Sequence, residues 1–483
     1  MRSSTGLLGL LASFGLACAH PQPQPQPQPH PHPWPQGSEI DSDLKSKLSS
    51  GAIISHNVST VPRWSEFNAP NPGTIVTVAT EADVQATVQY CISKNIPFLA
   101  QNGGHGWSGA FTLGQDGLLI NLRGLNTTTF NEDGTEATIG GGAIIQEVIN
   151  AAYANNVQIL TGNCNCVGAL GAGLGGGYGN LMGLYGFSID NYLSFNVVLA
   201  NGSLVTVTPE QEDLWWALRG AGPNFGIVTS AVMKSTPMAQ ADNIAWTGGL
   251  WFTEDKIEEI TQAIQDLTLE AHMNIFLYFL TVSGEPTVLV TVFYFGTEAD
   301  GREAFKSIID IGPYQDTTAV LPQNQWNAGA DGFCTKGDRK PTYSAGFNNF
   351  VPSTWRQIWN DYTEFIQNPN ASATTVVVEC YSLDKAQSIG SETASFANRD
   401  IRFNGFAITW YPDESLDATA EAYGSGFRDL LRADDGLSSN RTYVNFAFGD
   451  ETNPEVYNNS TERLRTLKKQ YDPNNVFNQW FDL

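Results

Sequence analysis

Basic residues are scarce in this chain: 25 lysines and arginines stand against 49 aspartates and glutamates over 483 residues, a formal net charge of −24. Nothing supplies the cationic stripe that a phosphate backbone demands, so nucleic acid is excluded as a partner. Histidine is rarer still, with six in all. His20, His30 and His32 fall in or beside a repetitive stretch, and His56 and His272 are isolated, so no metal-ligand spacing emerges and no metal is expected. No Ser-His-Asp arrangement emerges either. No segment has the ~20 uninterrupted apolar residues of a membrane helix, and no membrane association is expected. Hydrophobic residues still make up 41% of the chain, enough for large cores, and its 483 residues call for two to three domains.

The N-terminus has the pattern of a secretory signal over residues 1–19: Arg2, an apolar core from Leu7 to Leu16, and Ala17-Cys18-Ala19 as a small-residue cleavage site. Residues 20–37, with proline at alternate positions, read as an extended linker outside the fold. Loss of the signal removes one of the 25 basic residues, Arg2, and no acid. Sequons at Asn57, Asn126, Asn201, Asn370, Asn440, Asn458 and Asn459 agree with a secreted, extracellular, glycosylated protein. Of the six cysteines, Cys18 leaves with the signal, and Cys91, Cys164, Cys166, Cys334 and Cys380 remain. An odd number in an oxidising compartment asks for one cysteine bonded to something other than cysteine.

Glycine is abundant, and its concentration between Thr161 and Asp190 organises the rest of the chain. Residues from Gly168 to Gly177 are mostly glycine and alanine, a stretch too poor in side chains to build a core. Glycine lets backbone amides approach a ligand closely, so the run reads as a wall of N–H groups around an anion such as a diphosphate. Cys164 stands just before it, and His105 lies upstream in the loop Asn102-Gly103-Gly104-His105-Gly106.

Along the chain, TIVTVAT, EADVQATVQYCISKN and IPFLAQ read as strand, helix and strand, with Thr80 and Asp83 starting the helix and Asn95 before Pro97 ending it. Cys91 falls on the apolar side of that helix. Strands at 117–125 and 136–143, a helix from Ile145, a hairpin turned by Asn201-Gly202 and a helix-turn-strand over 213–235 complete an α+β domain spanning 68–238. From Ala239 to about residue 440, aromatic-rich strands of antiparallel character alternate with helices, predicting a substrate domain whose sheet is backed by helices on one face. The final stretch, 441–483, returns to the turn-rich style of the first domain and is expected to rejoin it.

Three readings compete for the glycine run. Gly171 to Gly176 formally matches GxGxxG, but the polar, cysteine-bearing CNCVGAL precedes it where a Rossmann fingerprint needs a hydrophobic strand. Tight packing without a ligand would lose stability to glycine's backbone entropy. The third reading is a flavin cradle.

For that reading the residues carry a family resemblance. GGH at 103–105, CxxVGxxGxxLGGGxG at 164–179, DLWWALRGAGPNFGIVT at 213–229, YVN at 443–445 and YDPNNVF at 471–477 resemble, in the same order, motifs of the berberine-bridge-enzyme-like flavoproteins of the vanillyl-alcohol-oxidase superfamily, as a secreted fungal-type member. The resemblance implies a PCMH-type FAD-binding domain joined to a substrate domain with a seven-stranded antiparallel sheet. It implies FAD bonded covalently to His105 and to Cys164, with Gly103, Gly104, Gly168, Gly171, Gly175, Gly176 and Gly177 along its diphosphate and ring, and Asn180 and Asn445 as further contacts. Trp107 is a further candidate contact. Family members often tie the helix cysteine at the Cys91 position to an N-terminal cysteine, and the mature N-terminus here has none.

Flavin oxidation needs a base for the substrate proton. The resemblance places the tyrosine of Y-x-N over the flavin, making Tyr443 the base candidate, while Glu379 and Tyr381 share one strand face by alternation and are candidate partners. The expected activity is oxidation of an alcohol, amine or ring carbon of a small organic substrate, with O2 reduced to H2O2 by a monomeric enzyme. An oligosaccharide oxidase forming a lactone at the reducing end, and a flavin-bearing non-redox cyclase or scaffold, are the alternatives.

Overall fold

The computed structural model describes residues 37–483; the signal segment and the Pro/Gln-rich linker to Gln36 lie outside the described residues. Three sheets matter for the site.

The first has four strands in the order Ile53–Ser55, Thr74–Thr77, Leu118–Asn121, Phe98–Gln101, with the last three parallel. Parallel neighbours need a crossover, supplied by the helix Glu81–Lys94. Local chemistry sets its ends. Thr80 and Asp83 form a reciprocal capping box, and Asn95 closes the helix in the left-handed conformation. Val84, Thr87, Val88 and Cys91 repeat at helical spacing and form its buried face. Phe98–Gln101 then runs straight into the glycine loop carrying His105.

The second sheet is antiparallel, in the order Thr128–Phe130, Glu136–Gly140, Gly226–Lys234, Tyr192–Leu199, Leu204–Val207. The glycine-rich stretch lies against this layer. Contrary to the expectation that it builds no core, it opens as the short helix Ala169–Leu174, whose Leu170 and Leu174 join the main hydrophobic cluster. Only the glycines between and after these leucines are free of that task.

The third sheet is antiparallel and has eight strands. Its order is Gln315–Asp316, Ile244–Phe252, Glu285–Phe295, Met273–Val282, Thr375–Tyr381, Phe403–Ile408, Thr342–Phe347, and Ala319–Pro322 also pairs with Ile244–Phe252. The two short strands lie along the same neighbour in one register, so they are one edge interrupted at Thr317 and Thr318 and fill a single position. The seven expected strands are thus seven positions made from eight segments. Thr342–Phe347 is absent from the sequence-based reading. Its six residues are all buried, and the alternation of Thr342, Ser344 and Gly346 with Tyr343, Ala345 and Phe347 is a weak strand signal because alanine and glycine are depleted in strands.

Alternation divides the sheet cleanly. Ile275, Leu277, Phe279, Val376, Val378 and Cys380 turn to one side and pack on Trp355, Ile358, Trp359 and Tyr362 of the helix Pro352–Phe365, and on the helices Ile257–Asp266 and Asp417–Ala433. Asn274, Phe276, Tyr278, Val377, Glu379 and Tyr381 are left to face the cavity. The C-terminal stretch packs back on the first half of the chain: Lys468 Nζ donates to the Asn224 carbonyl at 2.9 Å, Asn224 Nδ2 to the Phe481 carbonyl at 2.5 Å, and Tyr457 Oη to Asn224 Oδ1 at 3.2 Å. Among the described residues no helix is long and apolar enough to cross a membrane.

Candidate active site

A cavity of about 940 Å³ separates the cofactor-side loops from the free face of the third sheet. Gly103, Gly104, His105, Cys164, Gly168, Gly171, Asn180, Glu379, Tyr381, Tyr443 and Asn445 all line it, so residues hundreds of positions apart in sequence meet at one place. Gly175, Gly176 and Gly177 do not. A Cβ on Gly175 would meet Asn445 Oδ1 at 2.5 Å, and one on Gly176 would meet Phe396 at 2.6 Å, while Gly176 and Gly177 have φ of +137° and +82°. These three glycines serve backbone turning and close packing behind the wall.

The His105 ring stacks on Trp64 with centroids 4.8 Å apart and planes 18° from parallel. Trp64 is itself held by its Nε1 donating to the Phe333 carbonyl at 2.6 Å. Enclosure first, then the positive charges of Lys336, Lys340 and Arg63, push the His105 pKa down to about 3. The imidazole is therefore neutral at any ordinary pH, with a nitrogen lone pair available for bonding.

Cys164 Sγ is 4.0 Å from His105 Nε2, and Cys166 Sγ is 3.3 Å from the same nitrogen. Cys166 is joined to Cys334 in a disulfide, which leaves Cys164 as the free thiol of the pair. His105, Cys164 and Cys166 come close enough for a metal, but with Cys166 in the disulfide only two of the three donors remain. Burial pushes the Cys164 thiol up to about 11. Cys91 and Cys380 are buried and free, each filling a core position.

Tyr443 lines the cavity, yet its hydroxyl is fully engaged. It accepts from Gly177 N at 3.1 Å and Asn445 Nδ2 at 2.7 Å, and donates to the Ala172 carbonyl at 3.3 Å. A hydroxyl has one proton and two lone pairs, so nothing is left over. Burial raises its pKa well above the usual tyrosine range. Neither Glu379 nor Tyr381 bonds to it. Those two bond to each other: Tyr381 Oη donates to Glu379 Oε2 at 2.7 Å and accepts from Asn163 Nδ2 at 2.6 Å. Enclosure pushes the Glu379 pKa up to about 7, and the Tyr381 pKa is driven well above its ordinary value by the same enclosure and by Glu379.

Asn163 escaped the reading of the sequence, as did Asn274 and Asn327 around the expected Asn180. Asn163 Oδ1 accepts from Asn180 N at 3.0 Å, Asn274 Nδ2 donates to the Asn180 carbonyl at 3.2 Å, and Asn327 Nδ2 donates to the Gly162 carbonyl at 3.2 Å. The polar run Asn163-Cys164-Asn165 beside the glycines was the available signal. Trp64 and Trp107 beside the His105 loop join Val377, Phe406 and Ile408 of the sheet, flanked by Tyr278, Phe333, Trp410 and Phe446, in one apolar wall. Lys340 Nζ sits 4.3 Å over the Trp410 ring and 5.1 Å over that of Trp64.

A glycine-lined cavity between an α+β domain and an antiparallel sheet, with a neutral histidine and a free thiol at its wall, defines an FAD-binding oxidoreductase of the PCMH type. Comparison with known proteins agrees. Residues 72–208 match the family model described as FAD binding domain, and 442–479 match that described as berberine and berberine like. The FAD-linked oxidoreductase OXR1 of Pyricularia oryzae is 31% identical over 430 residues, covering 86% of this chain and 84% of the relative. Among solved structures, wild-type BBE-like 1 of Physcomitrella patens matches with a TM-score of 0.79 at 21% identity, over 92% of this chain and 99% of that one. A xylooligosaccharide oxidase from Myceliophthora thermophila C1, solved with xylobiose, matches with a TM-score of 0.76 at 22% identity, over 92% and 99%. The chain belongs to the berberine-bridge-enzyme-like family of FAD-linked oxidoreductases.

The cavity suits the cofactor. A Cβ on Gly171 would meet nothing within 4 Å, so the cavity is open there, whereas one on Gly103 would meet the Cys166 carbonyl at 2.6 Å, which keeps that backbone bare. Asn102 Oδ1 and Trp107 Nε1 line the same cavity, buried and without a partner among the described residues. Buried polar atoms are nearly always bonded, so both are open to a group from the cofactor or substrate.

Proposed function

We propose that the protein is a secreted, covalently flavinylated oxidase that dehydrogenates an alcohol, amine or ring carbon of a small, largely apolar organic substrate of specialised metabolism, with O2 as electron acceptor. When bound, FAD supplies the hydride acceptor and, on reoxidation by O2, gives H2O2. His105, neutral at its depressed pKa, and Cys164, the free thiol beside it, are the residues that hold it.

The observation that carries this reading is the Tyr381–Glu379 pair facing the cavity at 2.7 Å. Asn163 and Glu379 fix the Tyr381 hydroxyl, so its second lone pair points to one place in the cavity. A substrate O–H or N–H set there gives its proton to Tyr381 Oη as the tyrosine proton passes to Glu379, whose pKa of about 7 suits a proton acceptor near neutrality. Tyr443, with every hydrogen-bonding position used, acts as a rigid wall against the glycine stretch, and Asn445 braces it with bonds to both the Tyr443 hydroxyl and the Ala172 carbonyl.

The apolar wall favours a hydrophobic substrate, because a hydroxyl buried against it without a partner costs free energy. Exposure of the sequon asparagines Asn57, Asn126, Asn201, Asn370, Asn440 and Asn459 supports secretion and glycosylation.

The test is peroxide release over a panel of alcohols, amines and sugars, with the flavin content of the acid-precipitated pellet measured alongside. Peroxide from aromatic or alicyclic alcohols or amines, with yellow colour kept in the pellet, is the expected outcome. Peroxide from sugars alone would establish the oligosaccharide reading, and tightly held flavin with no peroxide from any class would point to a non-redox role.

A further inference from the structure

The Sγ atoms of Cys164 and Cys166 lie 4.0 and 3.3 Å from His105 Nε2, a third sulfur is bonded to Cys166, and the proposed chemistry uses one of the three. Cys166 is bonded to Cys334 across 168 residues, and the free Cys164 Sγ lies 3.5 Å from Cys166 Sγ. Sulfur atoms at that separation are in van der Waals contact, the arrangement from which a thiolate attacks a disulfide. The partner cysteine ends a 3-10 segment, Ala328–Cys334, that contains no buried residue. This segment is otherwise tied to the cofactor side by Asn165 Nδ2 donating to Asp331 Oδ1 at 2.6 Å and by Trp64 Nε1 donating to the Phe333 carbonyl at 2.6 Å. It forms part of the cavity wall through Gly332 and Phe333.

We propose that Cys164, Cys166 and Cys334 form a thiol–disulfide exchange site in which Cys166 pairs with either neighbour, and that occupancy of Cys164 by the cofactor decides which pairing persists. The thiolate of Cys164 attacks Cys166 Sγ. The Cys164–Cys166 bond forms as the Cys166–Cys334 bond breaks, and the electron pair leaves on Cys334 Sγ, which takes up the proton that Cys164 gave to solvent. One thiol and one disulfide stand on each side, so neither oxidant nor reductant is consumed.

The consequence is a link between cofactor loading and the cavity wall. In the exchanged form Cys164 is unavailable to the flavin, and the 328–334 segment keeps only its hydrogen bonds. Once Cys164 is bonded to the cofactor the exchange has no nucleophile, and the Cys166–Cys334 staple is permanent. The link to loading rests on the covalent reading above; the exchange itself does not.

The experiment maps disulfides in the full chain made in riboflavin-replete and riboflavin-starved hosts, with free thiols alkylated at quench and peptides weighed without reduction. Starved protein is expected to contain both linkages, seen as a fraction of Cys334 alkylated together with an intact Cys164–Cys166 link. Replete protein is expected to show the Cys166–Cys334 link alone, with complete loss of Cys334 alkylation. Cys334→Ser, which leaves no disulfide at the site to exchange, is expected to keep the flavin-bearing Cys164 peptide. Cys166→Ser, which removes the competitor, is expected to keep that peptide.

Starved wild type that never alkylates Cys334 overturns the exchange site. The wild-type map stands even if the variants fail to fold. Absence of a flavin-bearing Cys164 peptide from replete wild type strikes at the covalent reading instead, and leaves the Cys334 alkylation of starved wild type as the separate measure of exchange.

Discussion

Tyr381 and Glu379 stand two residues apart on one strand, and their side chains meet over the same sheet face at 2.7 Å, with the tyrosine donating. Asn163 closes the arrangement from the opposite side of the cavity at 2.6 Å. In the proposed reaction the tyrosine is the contact and the glutamate the sink. Glu379→Gln should therefore lower the rate of flavin reduction by about 10²–10⁴-fold, the usual worth of a positioned proton acceptor. Rapid mixing of enzyme and substrate across pH measures it. The wild-type rate should climb through pH 7, where Glu379 ionises, and the variant should lose that limb. An unchanged rate and profile in the variant would remove Glu379 from the chemistry.

The same carboxyl leaves a mark on stability. Its pKa rises from 4.5 to about 7 on folding, chiefly through desolvation, so the folded state holds the proton more tightly than the unfolded chain does. Below pH 4.5 both states are protonated and Glu379 exacts no penalty. Between 4.5 and 7 the unfolded chain alone releases the proton, so stability falls as pH rises, and above 7 the loss is complete and constant. Melting temperatures of wild type and Glu379→Gln measured over this range should converge at the acid end and separate in favour of the variant by neutrality.

Two glycines of the cofactor wall should respond in opposite ways. Gly171 has open space where a Cβ would go, so Gly171→Leu should fold with wild-type stability yet retain less flavin. Gly103 has the Cys166 carbonyl at 2.6 Å and Gly168 N at 2.9 Å from its Cβ position, so Gly103→Ala should cost about 1–3 kcal/mol of stability, as overpacking does. Denaturant titration of protein from starved hosts, beside the flavin content of protein from replete ones, separates the two effects.

Arg399 and Asp190 form a buried ion pair that joins the end of the glycine-rich stretch to the later half of the chain. Arg399 Nη2 is 2.6 Å from Asp190 Oδ1, and the side chains are only 6% and 2% exposed. Asp190 also accepts from Phe187 N at 2.9 Å. Arg399→Met leaves a buried carboxylate without its cation and should cost about 3–5 kcal/mol. Urea denaturation of Arg399→Met against wild type checks it, and a loss below about 1 kcal/mol, the range of an exposed pair, would show that the carboxylate finds other compensation.

Much of the site was legible because its signals are local. The glycine loop after Phe98–Gln101 places His105 at a strand end, Thr80 and Asp83 mark a helix start by a reciprocal hydrogen bond, and period-two alternation puts Glu379 and Tyr381 on one face. The Tyr443 hydroxyl was harder to read. A Y-x-N motif does not reveal that Ala172, Gly177 and Asn445 use every hydrogen-bonding position on that oxygen. The strand Thr342–Phe347 was hidden because it is short and its alternation runs through Ala345 and Gly346, residues depleted in strands.

By itself, the sequence determined the family motifs, the glycine loop that bares the backbone around His105, and the shared strand face of Glu379 and Tyr381. These follow from short-range chemistry: what glycine permits, what a cap satisfies, what strand alternation aligns. Only the tertiary structure decided that Cys166 takes Cys334, leaving Cys164 free, and that Asn163 reaches across to Tyr381. Those outcomes depend on packing two sheet layers against one cavity, which brings together residues separated by 168 positions in one case and 218 in the other. Contacts of that range are set by which hydrophobic faces must be buried together, and no local pattern records them.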